Sequence, residues 1–123
     1  MPTLLLADDS PLIRRAVRRI LEAELTITVV GEAQNFQEAI EKVAELKPDV
    51  LLLDLHMPDD RAMPAEFIKS RLQPPGSQLK IIAMSLSGSE DEDARELAAS
   101  LGAKTVLKKA QLTDELIPAV LAR

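Results

Sequence analysis

Cysteine, tryptophan and tyrosine are absent from this sequence, and phenylalanine occurs only twice. Without cysteine there is neither a disulfide framework nor a thiolate metal site, which suits a reducing, cytoplasmic compartment. The shortage of aromatics means that any core is built from Leu, Ile, Val and Ala. No apolar run approaches the roughly 20 residues of a membrane-spanning helix, so no membrane partner is expected. The opening Met1-Pro2-Thr3 lacks the basic region of a secretion signal. An excess of positive charge is missing too. Fifteen Lys and Arg face 20 Asp and Glu, for a net charge of −5. That balance argues against direct nucleic-acid binding through the surface field of the domain.

What is present is a chain of 123 residues, 46% apolar, which predicts one compact domain over 1–123. Short apolar runs alternate with amphipathic stretches. Leu4–Ala7 predicts a first strand. A helix follows, opened by Pro11, with Leu12, Ile13, Ala16, Val17, Ile20 and Leu21 at helical spacing. Ile27–Val30 predicts a second strand closed by Gly31. Asn35 is a cap for a helix bearing Phe36, Ala39, Ile40, Val43 and Leu46, stopped by Pro48. Val50–Leu53 is the most continuously apolar strand. A third helix is expected over 62–72, a Pro-Pro-Gly turn at 74–76 and a fourth strand over 79–84. A fourth helix over 90–101 has an acidic first turn, which suits the helix dipole, and ends at Gly102. Thr105–Leu107 predicts the fifth strand. The last helix, 113–122, contains Pro118 and should bend or have a weak first turn. Alternating strands and helices imply right-handed crossovers and a doubly wound parallel sheet, an α/β fold.

Chemistry on such sheets gathers beyond the carboxyl ends of the strands. The first strand ends in Asp8-Asp9, the third in Asp54 and the fourth in Ser85; Lys108-Lys109 follows the fifth. Crowded carboxylates repel unless a cation sits among them, and oxygen ligands of this kind suit Mg²⁺. One carboxylate can attack phosphorus, while an ammonium and a hydroxyl hold phosphoryl oxygens. Phosphoryl transfer demands that kind of positioning and charge stabilisation. Strand alternation selects Lys109 over Lys108 for the ammonium role.

Leu5-Leu6-Ala7-Asp8-Asp9, Pro48-Asp49-Val50-Leu51-Leu52-Leu53-Asp54-Leu55-His56-Met57-Pro58, Ser85 after an apolar strand, and Gly102-Ala103 followed by Lys109 together resemble the CheY-like receiver domain of two-component response regulators. Val30-Gly31-Glu32-Ala33 resembles the LuxR/NarL-type subfamily, often fused to a helix-turn-helix output domain. The resemblance implies a flavodoxin-like five-stranded sheet of order 2-1-3-4-5 with five helices. It implies Asp54 as phosphoacceptor, with Asp9 and Asp54 as direct Mg²⁺ ligands. Asp8 would bind through water, and the backbone carbonyl of His56 would supply a further ligand. Ser85 and Lys109 would bind the phosphoryl group. The implied partner is a sensor histidine kinase or phosphotransfer protein, and the helices over 90–101 and 113–122 are candidates for a homodimer contact. Arg14, Arg15, Arg18 and Arg19 form a basic stripe on the first helix, either solvated or in contact with the kinase. The imidazole of His56 is expected at the access loop, where it would tune dephosphorylation.

Two positions depart from the family pattern. Val106 stands where an aromatic switch is usual, and a β-branched side chain cannot swing over a comparable distance. Ala110 replaces a proline that often follows a cis bond, so a trans peptide is expected. The stretch between Ser85 and Gly102 is about two residues longer than usual, with Gly88 and Ser89 widening the loop. These departures raise the alternative of a pseudo-receiver, an interaction module that signals without phosphate. A phosphohydrolase of the aspartyl-phosphate type is disfavoured because the first strand ends Ala-Asp-Asp-Ser rather than Asp-x-Asp.

Overall fold

A computed structural model describes residues 2–58 and 62–122, so Met1 lies outside the described residues. Twelve elements follow in order: β1 (Thr3–Ala7), α1 (Pro11–Glu22), β2 (Thr28–Ala33), α2 (Phe36–Leu46), β3 (Val50–Asp54), α3 (Ala65–Leu72), β4 (Lys80–Ser85), a 3-10 turn (Gly88–Glu90), α4 (Glu92–Ser100), β5 (Thr105–Lys108), a second 3-10 turn (Lys109–Gln111) and α5 (Leu112–Leu121). The five strands pair in parallel in the order β2-β1-β3-β4-β5. This is the doubly wound sheet expected from the alternating pattern, in the flavodoxin-like strand order that the family resemblance implied.

Alternate residues along each strand serve opposite faces, and two aliphatic cores result. Leu5, Ala7, Leu51, Leu53, Ile81 and Ala83 pack against Phe36, Ala39 and Val43 of α2, Ile68 and Leu72 of α3, and Ala94 and Ala98 of α4. Leu4, Leu6, Leu52, Ile82 and Met84 pack against Val17 and Leu21 of α1 and Leu112, Leu116 and Val120 of α5. The sheet therefore carries three helices on one face and two on the other. The stripe on α1 is narrower than its periodicity suggests. Val17 and Leu21 are buried, whereas Ala16 is exposed and Leu12 is 71% exposed.

Local chemistry sets the boundaries. Ser10 caps α1 by accepting from the Ile13 amide, and Pro11 supplies a first-turn φ at no hydrogen-bond cost. Asn35 caps α2 through the Glu38 amide at 2.8 Å, and Lys47, at φ 47°, ends that helix ahead of Pro48. The second strand does not stop at Gly31. It runs to Ala33, with Leu4 opposite Val29 and Leu5 opposite Gly31, so Val30 is the extra residue of a bulge. Gly31 is instead a close-approach position: a Cβ there would lie 2.9 Å from Leu46 Cδ1. The third helix begins at Ala65 rather than 62, because Pro64 holds extended backbone and steers the residue before it away from helix. The Pro-Pro-Gly turn forms as expected, with the Ser77 amide donating to Pro74 O and Gly76 at φ 88°. α4 begins at Glu92, capped by Asp91, because the 3-10 turn takes the preceding residues. Pro118 stays inside α5, whose first turn has no side-chain cap.

Candidate functional site

The carboxyl ends of β1, β3, β4 and β5 bring the sequence-predicted residues to one edge. Asp8 and Asp9 follow β1 directly, Asp54 is the last residue of β3, Ser85 is the last of β4, and Lys109 opens the turn after β5. Ligating oxygens of Asp8, Asp9 and Asp54 lie within 4.8 Å of one another. Lys109 Nζ sits 3.0 Å from Asp8 Oδ2 and 3.3 Å from Asp54 Oδ2. Lys108, one residue earlier, is paired in register with Ser85, and its Cβ lies close beside Gly88. Ser85 is fully buried, and its Oγ accepts from the Gly88 amide at 2.7 Å. His56 follows Asp54 in the loop; its backbone amide donates to Asp54 Oδ1 at 3.0 Å, and its side chain is exposed.

Burial is unequal within the cluster. Asp8 and Asp54 are buried, and Asp9 is exposed. Burial pushes the Asp54 carboxyl above the usual carboxylate range, and the Asp8 charge adds to this. The His56 amide and Lys109 oppose the shift without cancelling it. For Lys109 the balance goes the other way. Burial favours the neutral amine, but the carboxylates of Asp8 and Asp54 outweigh it and raise the pKa. Asp8 Oδ1 accepts from the Ser10 amide at 2.8 Å. Asp8 Oδ2 is the one buried side-chain polar atom among the described residues without a directed hydrogen bond; its neighbour is the Lys109 ammonium. A buried carboxylate oxygen with open lone pairs, beside two more carboxylates, fits a hard divalent cation such as Mg²⁺.

The family described as response regulator receiver domain matches residues 4–121. This chain belongs to that family. It is 33% identical over 118 residues to the nitrate/nitrite response regulator protein NarL of Escherichia coli K12, a match covering 96% of this chain and 52% of that protein. It is 53% identical over 55 residues to a protein-glutamate methylesterase/protein-glutamine glutaminase of Pseudoalteromonas atlantica, covering 45% of this chain and 14% of that protein. The chain thus spans about half the length of NarL and far less of the methylesterase. Among solved structures, the response regulator domain of Thermotoga maritima CheB superposes with a TM-score of 0.80 at 25% identity, covering 98% of this chain and 93% of that domain. The receiver domain is a module of two-component systems, and its family binds Mg²⁺ in an acidic pocket of this kind. No helix among the described residues is long and apolar enough to cross a membrane.

The two departures from the family pattern are also placed. Val106 is half-buried and packs against the core shared by α2, α3 and α4. Ala110 is exposed, and its peptide bond is trans, as every described bond is. The long segment after Ser85 forms the 3-10 turn, with Gly88 at φ 69°.

Sequence reasoning missed how the basic stripe divides. Arg14 and Arg18 both grip Glu32 of β2, Arg14 at 2.8 Å, while Arg15 and Arg19 are exposed. These arginines hold the Glu32 carboxyl below the usual range. Burial is the largest single influence and opposes that shift, but Arg18 and Arg14 together prevail. The spacing of the arginines could not reveal this, because their partner sits on another element.

Proposed function

We propose that this chain accepts a phosphoryl group on Asp54 from a histidine-bearing donor, with Mg²⁺ held by Asp8, Asp9, Asp54 and the backbone carbonyl of His56. The supporting observation is the convergence of three carboxylates and one ammonium at a single sheet edge. Their formal charges leave a surplus of two negative charges, which one divalent cation balances. When bound, Mg²⁺ neutralises the carboxylates and draws charge from the transferring phosphoryl oxygens. An oxygen of Asp54 attacks phosphorus, so an O–P bond forms while the donor's N–P bond breaks, and the histidine nitrogen keeps the electron pair. Lys109 exchanges its carboxylate contacts for the arriving phosphoryl oxygens. Ser85 turns its hydroxyl to the phosphoryl group and releases the Gly88 amide. The 3-10 turn and α4 then shift, and the signal leaves through α4 and α5. With Val106 unable to swing, this loop carries the switch.

The donor is a sensor histidine kinase or phosphotransfer protein in the cytoplasm, and the phosphorylated form pairs with a second copy through α4 and α5. Amide NMR spectra recorded with Mg²⁺ and beryllofluoride test the reading. Shifts centred on Asp54, Ser85 to Gly88 and Lys109 are expected. Spectra unchanged at those residues would overturn it and favour an interaction module that works without phosphate.

A further inference from the structure

The backbone on either side of the Asp8 Cα is tied to β2, the amide directly and the carbonyl through Arg14 of α1. The Asp8 amide donates to Ala33 O at 3.0 Å. The Asp8 carbonyl accepts from Arg14 Nη1 at 2.6 Å. Arg14 Nε in turn donates to Glu32 Oε1 at 2.8 Å, so the guanidinium bridges the Asp8 carbonyl to β2. Glu32 is itself fixed: Arg18 takes its second carboxylate oxygen, and Lys42 of α2 donates to its backbone carbonyl. Arg14 has 19% of its side chain exposed, and its planar fork satisfies two acceptors at once. Asp9 is exposed, so its carboxylate is aimed chiefly by the backbone that carries it.

We propose that Arg14 is a positioning residue for the divalent-cation site: by tying the Asp8 carbonyl to Glu32 it fixes the Asp8–Asp9 peptide plane and thereby aims the Asp9 carboxylate. The proposal rests on reading the Asp8, Asp9 and Asp54 cluster as a Mg²⁺ site. Geometry and charge make opposite predictions. As a fixed positive charge near a dication, Arg14 repels it, so on electrostatics alone its removal tightens Mg²⁺ binding. As a brace, its removal weakens binding, because partners of metal ligands typically contribute tenfold or more to affinity.

The experiment is a MgCl₂ titration of the 123-residue chain followed by backbone amide shifts, a readout that needs no phosphoryl transfer. Arg14→Ala is expected to weaken Mg²⁺ binding about tenfold. Arg14→Lys keeps the charge and loses the two-acceptor bridge, and is expected to weaken binding as well. Arg15→Ala removes an exposed charge from the same helix and should leave binding within about twofold of the parent. Arg14→Lys also guards against misfolding of the alanine variant, since its spectrum must retain the parent's dispersion. Parent-like or tighter binding in both Arg14 variants would overturn the proposal. A parent chain that binds no Mg²⁺ would overturn the metal reading instead, and the two failures are distinguishable.

Discussion

Replacing Lys109 by methionine keeps the length of the side chain and removes its charge. The ammonium lies 3.0 Å from one buried carboxylate and 3.3 Å from another. At an effective dielectric of about 20, each contact is worth about 5 kcal/mol of attraction before the burial of Lys109 is charged against it. Breaking a buried pair by removing one partner typically costs about 3–5 kcal/mol. The variant has an escape, because Asp54 can take up a proton. From the ordinary carboxylate pKa of 3.8, that costs about 4 kcal/mol at pH 7, and less for a group already shifted up. In chelator the expected loss of stability at pH 7.5 is therefore about 3–4 kcal/mol. Its pH dependence has a definite sign. The folded pKa of Lys109 is raised, so its stabilising contribution is complete below the ordinary 10.5 and fades only above it. Lys109 thus adds no slope between pH 5.5 and 7.5. The variant's carboxylate, protonated only when folded, adds up to about 1.4 kcal/mol of stability per unit of falling pH. Urea denaturation followed by far-ultraviolet circular dichroism suits a chain without tryptophan. The gap between parent and variant should narrow by up to about 2.7 kcal/mol from pH 7.5 to 5.5. A gap near zero, or one of constant size across that range, would refute the account of the cluster.

Asp54→Asn removes a carboxylate whose folded pKa is raised above 3.8, so the cost of ionising it is complete at neutral pH and vanishes in acid. In chelator the variant should be more stable than the parent at pH 7.5, with the advantage shrinking towards pH 4; a less stable variant at pH 7.5 would contradict this. Gly88→Ala forces a left-handed φ on alanine and places a Cβ 2.9 Å from Lys108 Cβ, so a loss of about 1–3 kcal/mol is expected in urea denaturation. Gly76→Ala carries a similar φ into open space and should cost less; an equal cost would remove the Gly88–Lys108 contact from the argument. Lys80→Met loses charged hydrogen bonds to Ala119 O at 2.5 Å and Ala122 O at 2.6 Å, at about 1–2 kcal/mol. Hydrogen exchange should quicken in the last turn of α5, and unchanged protection there would show that Lys80 does not pin it.

The candidate cluster was legible because Asp8, Asp54 and Ser85 directly end apolar runs, with Asp9 and Lys109 one residue further on. A run such as Val50–Leu53, buried on both faces, announces a central strand, and the residue after it must emerge at the sheet edge. The capped helices were legible for a similar reason: Asn35 and Gly102 act within their own few residues. Signals failed where the decisive contact was distant. Gly31 resembles a strand end, but Leu46 of α2 packs against its bare Cα. Leu12 continues the α1 period yet lies off the face that β1 and α5 cover. Pro64 carried a local signal, its effect on the preceding residue, that helical periodicity over 62–72 obscured. The link from Glu32 through Arg14 to the Asp8 carbonyl depends on a pair 18 residues apart on two elements, and no spacing rule connects them.

The most direct test of the central claim is intact-mass spectrometry of the chain after incubation with acetyl phosphate and Mg²⁺. The account predicts a mass gain of one phosphoryl group, labile to hydroxylamine, that is lost in Asp54→Asn and in chelator. A chain that gains no phosphoryl group, or one that gains it equally well in Asp54→Asn, would contradict it.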